Sequence, residues 1–178
     1  MRVHGSMAAS LVLVLMLPWT QGAEAEPPSG PLDVARTAYA SQLRELAVWS
    51  HKNKLYGKRD ETYARLLQYE PDDAKARKWL KYKRDEEGTW QQDARYKPPP
   101  NRMKRRLPAY EEQRAKADTA YIESVVRILS TLESRPDLDW GQKTLVDLVA
   151  EFPQSEQVAR NLRRLRLRIH AAAWAAAD

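Results

Sequence analysis

The chain has 178 residues, a formal net charge of +6 and no cysteine. The absence of cysteine excludes a disulfide-stapled fold, a zinc–thiolate site and thiol redox chemistry. Glycine is scarce, with 6 residues, whereas 6 tryptophans and 8 tyrosines accompany a single phenylalanine. This composition favours helices with aromatic anchors over a β-sandwich, which needs turn glycines at regular spacing.

The first 25 residues have the pattern of a secretory signal peptide. Arg2 precedes an apolar run from Met7 to Leu17, and Ala23 and Ala25 supply the small residues that precede a cleavage site. The run is roughly half the length of the ~20 apolar residues that span a bilayer. We therefore predict cleavage after Ala25 and export to the periplasm or the outside of the cell. Retention of the segment as a membrane anchor is the alternative.

Three helices are predicted between residues 32 and 80. The first runs from Leu32 to about His51, because apolar residues recur there at steps of three and four. The second stops at Pro71, since proline disfavours the helical conformation of the residue before it. Asp72 and Asp73 then supply the N-terminal cap of a third helix. The apolar stripes of the three helices comprise Leu32, Ala35, Tyr39, Leu43 and Leu46, then Tyr63, Leu66 and Leu67, then Ala76, Trp79 and Leu80.

Part of this pattern is that of a helical repeat. The large, small and proline positions of a tetratricopeptide repeat are matched by Leu43, Leu46, Ala47, Tyr63, Leu66 and Pro71. Residues 40–86 therefore resemble about one and a half tetratricopeptide repeats, and the resemblance implies antiparallel helix pairs. The pattern departs at Arg59, where a small residue is usual, and at Ser50, where an aromatic residue is usual. The following segment, Lys81–Trp90, resembles a closing segment of exported bacterial proteins.

Residues 91–108 are predicted to form a linker. Pro98, Pro99 and Pro100 favour an extended, semi-rigid backbone. The segment is also basic, through Arg102, Lys104, Arg105 and Arg106. These side chains could contact an acidic polymer, membrane headgroups or an acidic protein surface. Simple solvation of the four charges is the other interpretation.

Three more helices are predicted in residues 109–178. The first is long, covers residues 109–134 and is interrupted by Pro136. A short helix follows and ends at Phe152, and Pro153 precedes the last helix. The apolar stripes comprise Ala117, Tyr121, Val125, Ile128, Leu129 and Leu132, then Leu145, Leu148, Val149 and Phe152.

The last helix is amphipathic and basic. Its apolar face is formed by Val158, Leu162, Leu165 and Ile169, while Arg163 and Arg164 lie on the opposite side. We expect this terminal helix to dock on its neighbours; a helix that lies on an anionic membrane or in a partner groove has the same pattern and is the alternative. Leu167 and Trp174 fall on a further face, which indicates an oligomer, a partner or a chain that continues past residue 178.

Groups for catalysis or metal binding are sparse. Outside the signal peptide only His51 and His170 remain, on separate predicted helices and without a second ligand at metal-binding spacing. His-Glu-x-x-His, Gly-x-Ser-x-Gly and glycine-rich phosphate-loop motifs are absent from the sequence. We therefore expect no enzymatic activity, no metal and no cofactor.

The sequence thus predicts an exported, all-α protein of antiparallel, tetratricopeptide-like helix pairs. Its predicted parts are a signal peptide (1–25), a helical unit (32–90), a basic Pro-rich linker (91–108) and a C-terminal helical unit (109–178). The expected role is protein–protein interaction or scaffolding through the groove between paired helices. The aromatic residues expected in this groove or in the core are Tyr39, Trp49, Tyr63 and Trp79.

Two alternatives remain open at this point. The chain could be a basic module that binds an anionic polymer or a membrane, using Arg102, Lys104, Arg105, Arg106, Arg163 and Arg164. It could also be the non-catalytic N-terminal part of a larger exported enzyme. We expect a protein partner, and we do not expect a nucleic-acid partner.

Overall fold

The structure is a computed structural model, and it describes residues 29–133 and 135–175. Six α-helices account for most of these residues. They are α1 (Ser29–Lys52), α2 (Tyr56–Leu66), α3 (Ala74–Trp79), α4 (Leu107–Ser130), α5 (Arg135–Glu151) and α6 (Glu156–Ala175). A 3₁₀ turn (Lys104–Arg106) precedes α4, and the short strands β1 (Tyr82–Arg84) and β2 (Trp90–Gln92) follow α3. The predicted all-α class is confirmed. The predicted signal peptide, residues 1–25, lies outside the described residues.

The central helix of the N-terminal half is α1, which packs against both α2 and α4. Near the middle of α1, the Tyr39 hydroxyl donates a hydrogen bond to Asp118, near the middle of α4. Late in α1, Leu46 belongs to one apolar cluster with Tyr110, at the start of α4. The two helices therefore run antiparallel, and their contact crosses the predicted boundary between the two helical units. The division into units itself stays a prediction.

An aromatic cluster fills the centre of the core. The Tyr39 ring stacks on that of Tyr121, with centroids 4.5 Å apart, and meets that of Tyr69 edge-on at 4.9 Å. Phe152 closes the cluster from the end of α5, 6.4 Å from Tyr39. Four segments of the chain thus contribute to one apolar core, and aromatic pairs in these geometries add stability beyond their buried area.

An ion pair joins α2 to the end of α5. Nη2 of Arg65 lies 2.6 Å from Oε1 of Glu151, and the Tyr69 hydroxyl donates to the same carboxylate. Burial nevertheless raises the pKa of Glu151, and the coulombic effect of Arg65 only partly opposes this shift. The C-terminal helices are therefore tied to α2 by polar as well as apolar contacts.

A second helix pair, α5 and α6, packs on the C-terminal half of α4. The predicted apolar face of α6 is largely buried, with Val158, Leu165 and Ile169 all in the core. At the contact, a Cβ on Gly141 would lie 2.7 Å from Cδ1 of Leu132 and 3.3 Å from Cδ2 of Leu165. A glycine costs about 1 kcal/mol in a helix interior relative to alanine. Its presence in mid-α5 is explained by the close approach of the neighbouring side chains.

The β-hairpin after α3 was not anticipated from the sequence. The two strands are antiparallel, and Tyr82, Lys83 and Arg84 pair with Gln92, Gln91 and Trp90, respectively. Asp85 closes the turn, because its Oδ1 accepts hydrogen bonds from the backbone N–H groups of Glu87 at 3.1 Å and Thr89 at 2.8 Å. The segment that resembles a closing element is therefore a short hairpin.

The basic Pro-rich segment is held against the turn between α1 and α2. The backbone N–H of Arg102 donates to the Lys54 carbonyl oxygen at 2.9 Å. The side-chain oxygen of Asn101 accepts from the backbone N–H of Lys58 at 3.1 Å. These contacts direct the chain into α4, whose first turn contains Pro108, a position where proline is well tolerated.

Candidate functional site

The four aromatic residues singled out from the sequence do not share one surface. Tyr39 and Tyr63 are each only 1% exposed and belong to the core. Trp49, on α1, and Trp79, at the end of α3, are half-buried. Only these two tryptophans therefore keep a surface that another molecule could reach.

The ring of Trp79 is already covered by a buried arginine. The guanidinium carbon of Arg59 lies 4.0 Å from the Trp79 ring centroid, and the His51 ring lies 4.8 Å from the same tryptophan. Such a guanidinium–aromatic contact is stabilising, the more so when it is desolvated. Trp79 therefore has a structural partner, and Arg59 occupies the place of the small residue that the repeat pattern leads one to expect.

A buried carboxylate balances the charge of Arg59. Nε of Arg59 donates to Oδ1 of Asp60 at 2.7 Å, and the two side chains are 5% and 1% exposed. The hydroxyl of Tyr96, from the basic Pro-rich segment, donates to the other carboxylate oxygen. Burial and this hydrogen bond raise the pKa of Tyr96 to about 12, so the hydroxyl remains a donor at neutral pH. The cluster is internally satisfied and serves to fasten residues 93–102 to α2.

A second polar cluster joins α1 to α4. The Tyr39 hydroxyl donates to Asp118, and Nε of Arg114 donates to both oxygens of that carboxylate, at 2.8 and 3.1 Å. Burial, followed by the hydrogen bond to Asp118, raises the pKa of Tyr39, so this phenol is a poor general base at neutral pH. The cluster therefore fixes the spacing of the two helices and offers no evident nucleophile.

A groove of about 570 Å³ runs between the outer faces of α1 and α4. Leu46 and Ala117, both buried, form its floor, and Trp49 forms part of one wall. The Trp49 ring packs against the small apolar cluster of Leu46, Leu55 and Tyr110. The remaining lining residues are polar or small: Gln42 and Glu45 from α1, and Gln113, Lys116 and Ala120 from α4. Of the predicted aromatic residues, Trp49 alone lines this groove.

The rim of the groove suits a polar chain with an apolar side group. The amide groups of Gln42 and Gln113 can each donate and accept hydrogen bonds. Glu45 and Lys116 place opposite charges on the two walls. The Lys116 ammonium also donates to Oε1 of Glu112 at 2.8 Å. An extended or helical segment with mixed polarity would find partners for both its backbone and its side chains here.

The basic residues singled out from the sequence form two separate surfaces. Lys104, Arg105 and Arg106 are exposed in the 3₁₀ turn before α4, next to the exposed Arg102. Arg163 and Arg164 are exposed on α6. Arg164 lies beside Val126, twenty residues along α4 from the turn, which corresponds to about 30 Å of helix. The Arg102 guanidinium also covers the Tyr56 ring at 5.6 Å.

The described residues hold no group of three or more His, Asp or Glu side chains placed to bind a metal ion. His51 lies at the end of α1 and His170 on α6, as separate sites. Every helix in the described ranges falls short, in length or in apolar content, of what crossing a bilayer requires.

The antiparallel helix pairs are compatible with a helical-repeat-like fold. No match to this chain is found among protein-family models, curated proteins or solved structures. Membership of the tetratricopeptide family therefore stays a prediction.

Sequence reasoning missed the α4 wall of the groove. Its members lie at positions 113, 116, 117 and 120, the spacing of one helical face. The sequence does contain a signal for this wall: a narrow face of small and polar residues lies beside the predicted apolar stripe that begins at Ala117. The pairing of that face with Trp49 depends on tertiary packing, which the periodicity does not specify.

Proposed function

We propose that the chain is a non-catalytic binding protein that holds a segment of a partner protein in the α1/α4 groove. The observation that carries the proposal is the position of Trp49, half-buried beside an apolar floor and polar walls. Tryptophan is enriched among residues that dominate the energy of protein–protein contacts. In tetratricopeptide-like arrays, which residues 40–86 resemble, neighbouring helices also create extended binding surfaces.

The partner segment would carry one large apolar side chain between polar residues. The groove volume of about 570 Å³ lies within the range of roughly 300–1,000 Å³ that is typical of ligand sites. Hydrogen bonds from Gln42 and Gln113 would satisfy the segment's backbone, while Glu45 and Lys116 would orient its charges. The proposal includes export by the signal peptide predicted in residues 1–25, so the partner would lie in the periplasm or outside the cell.

Binding of an anionic polymer or membrane is a second candidate function. The sequence of α6 contains five arginines and no acidic residue after Glu156. Arg160, Arg163, Arg164, Arg166 and Arg168 are exposed. Such a surface would bind more weakly as the ionic strength rises, whereas an apolar groove would not.

An exposed alanine in the groove provides the test of the first proposal. We would immobilise the natural chain, an Ala120→Arg variant and an Ala115→Arg control, and capture proteins from the exported fraction. Ala120 lines the groove, whereas Ala115 is exposed on the same helix outside it. Both variants should unfold like the natural chain, because neither alanine is buried.

We expect Ala120→Arg to reduce capture of the partner by roughly tenfold or more, as loss of a central contact does. Ala115→Arg should capture the same protein as the natural chain. Equal capture by all three chains, at matched thermal stability, would show that the groove is not the contact surface.

A further inference from the structure

A second cavity lies between α4, α5 and α6. It shares only α4 with the α1/α4 groove. Its volume is about 190 Å³, and its apolar lining consists of Val126, Leu129, Leu145 and Leu165. An apolar protein cavity of about 150 Å³ is large enough to admit a benzene-sized molecule. The space therefore accommodates a short apolar group.

Two arginines on the same face of α6 line this cavity. Arg164 and Arg168 are four residues apart, so their side chains are neighbours on the helix surface. An Nη2 hydrogen bond from Arg168 to the Leu132 carbonyl oxygen holds that guanidinium beside the cavity. Within the described residues, neither arginine forms an ion pair with a carboxylate, and no carboxylate lines the cavity.

The other two polar lining residues each donate a hydrogen bond within their own helix. The Ser130 hydroxyl donates to the Arg127 carbonyl oxygen at 2.7 Å, and the Asn161 amide donates to the Gln157 carbonyl oxygen at 2.8 Å. The guanidinium groups therefore dominate the polar side of the cavity. Such groups present a planar fork of donors that matches a carboxylate or phosphate.

We infer that this cavity binds a small anionic amphiphile. Its short apolar tail would occupy the space between the leucines, and its carboxylate or phosphate would meet Arg164 and Arg168. Apolar burial and charge pairing would then act on the two ends of one molecule. Free fatty acids and anionic membrane lipids share this chemistry. The inference does not rest on the α1/α4 groove, so either proposal can fail while the other stands.

Calorimetric titration of the full chain with monomeric octanoate tests the inference. Acetate carries the charge without the tail, and octanol carries the tail without the charge. We expect both to bind at least tenfold more weakly than octanoate. Comparable affinity for all three probes, or no octanoate binding below its micelle concentration, would overturn the inference.

Variants separate the two ends of the site. Arg164→Gln should weaken octanoate binding about tenfold, while a matched Arg163→Gln control on the same helix, outside the cavity, should stay within twofold. Arg164 is the better choice than Arg168, whose hydrogen bond to α4 also contributes to folding. Val126→Phe should weaken binding by filling the half-buried apolar end. Equal losses in Arg164→Gln and Arg163→Gln, or unchanged binding in Val126→Phe, would refute the site.

Sedimentation with phosphatidylglycerol vesicles identifies the source of the amphiphile. If Arg164→Gln and Val126→Phe lose both octanoate and vesicle binding, the ligand is a membrane lipid. If they lose octanoate binding and the natural chain ignores vesicles, the ligand is a free amphiphile. If vesicles bind all variants equally and octanoate binds none of the chains, the arginines act as a general basic surface and the cavity site is wrong.

Discussion

Replacing Gly141 by alanine measures how closely α5 approaches α4 and α6. The new Cβ would lie 2.7 Å from Cδ1 of Leu132, well inside the roughly 3.5–4.0 Å of an ordinary carbon–carbon contact. Overpacking of this kind costs about 1–3 kcal/mol. Alanine regains about 1 kcal/mol of helix propensity. We therefore expect the Gly141→Ala chain to lose up to about 2 kcal/mol of unfolding free energy.

A double-mutant cycle with Leu132→Ala isolates the cause of this loss. Leu132→Ala alone should cost about 2–5 kcal/mol, because it empties a buried site. In that background the 2.7 Å contact is gone, and relief of the 3.3 Å contact requires Cδ2 of Leu165 to shift by only a few tenths of an ångström. Gly141→Ala should then be neutral or stabilising, with a coupling energy of about 1–3 kcal/mol.

Urea unfolding of the four chains, followed by circular dichroism, provides the free energies. The expected signature is a change of sign or a clear reduction of the Gly141→Ala effect in the Leu132→Ala background. If Gly141→Ala stabilises both backgrounds by about 1 kcal/mol, helix propensity alone acts and the described packing of α5 is incorrect.

Three other predictions follow from the structure and the sequence. Arg59→Ala should lower the unfolding free energy by about 3–5 kcal/mol, because it leaves the Asp60 carboxylate buried without its counter-charge; a loss below about 1 kcal/mol would contradict the buried pair. Burial raises the pKa of Glu151, so the folded chain binds more protons than the unfolded chain above about pH 4.5. The stability from this group is therefore present at low pH and is lost as the pH rises through its folded pKa. The unfolding free energy of the natural chain relative to Glu151→Gln should decline as the pH rises above about 4.5, and a rise would show that the pKa is lowered instead. Intact-mass measurement of exported protein should give a chain that begins after Ala25; a start more than a few residues away would refute the cleavage site.

The helices were accessible from the sequence because their apolar residues recur with helical spacing. Tyr39, Leu43 and Leu46 mark α1, and the structure buries all three. The start of α5 was harder to place, since the helix begins at Arg135, well before the leucines that mark its second half. The hairpin was missed because residues 82–92 contain too few apolar positions to show strand alternation.

The polar clusters could not be read from local pattern. Arg59 looked like an exception to the repeat, yet its partners Asp60 and Trp79 come from α2 and α3, and Tyr96 of the basic segment donates to Asp60. Their juxtaposition depends on how three segments converge. The groove also could not be predicted from local pattern, because Trp49 lines a groove only once α4 packs beside α1.

The α1/α4 groove is assembled from parts of the chain that are far apart in sequence. Trp49 and Gln113, on its opposite walls, are separated by 64 positions, and the Tyr39–Asp118 hydrogen bond spans 79. Pairing of α1 with α2 closes a short loop, whereas pairing of α1 with α4 closes a long one, and we expect the long-range pairing to be slower. A nascent or truncated chain that ends before α4 would therefore lack the groove altogether. Any ligand of the groove would select the completed chain and stabilise it by mass action, by about 2.7 kcal/mol at a hundredfold excess over its Kd. A partner that binds in the groove would thus distinguish chains in which α4 has packed on α1 from incompletely folded chains.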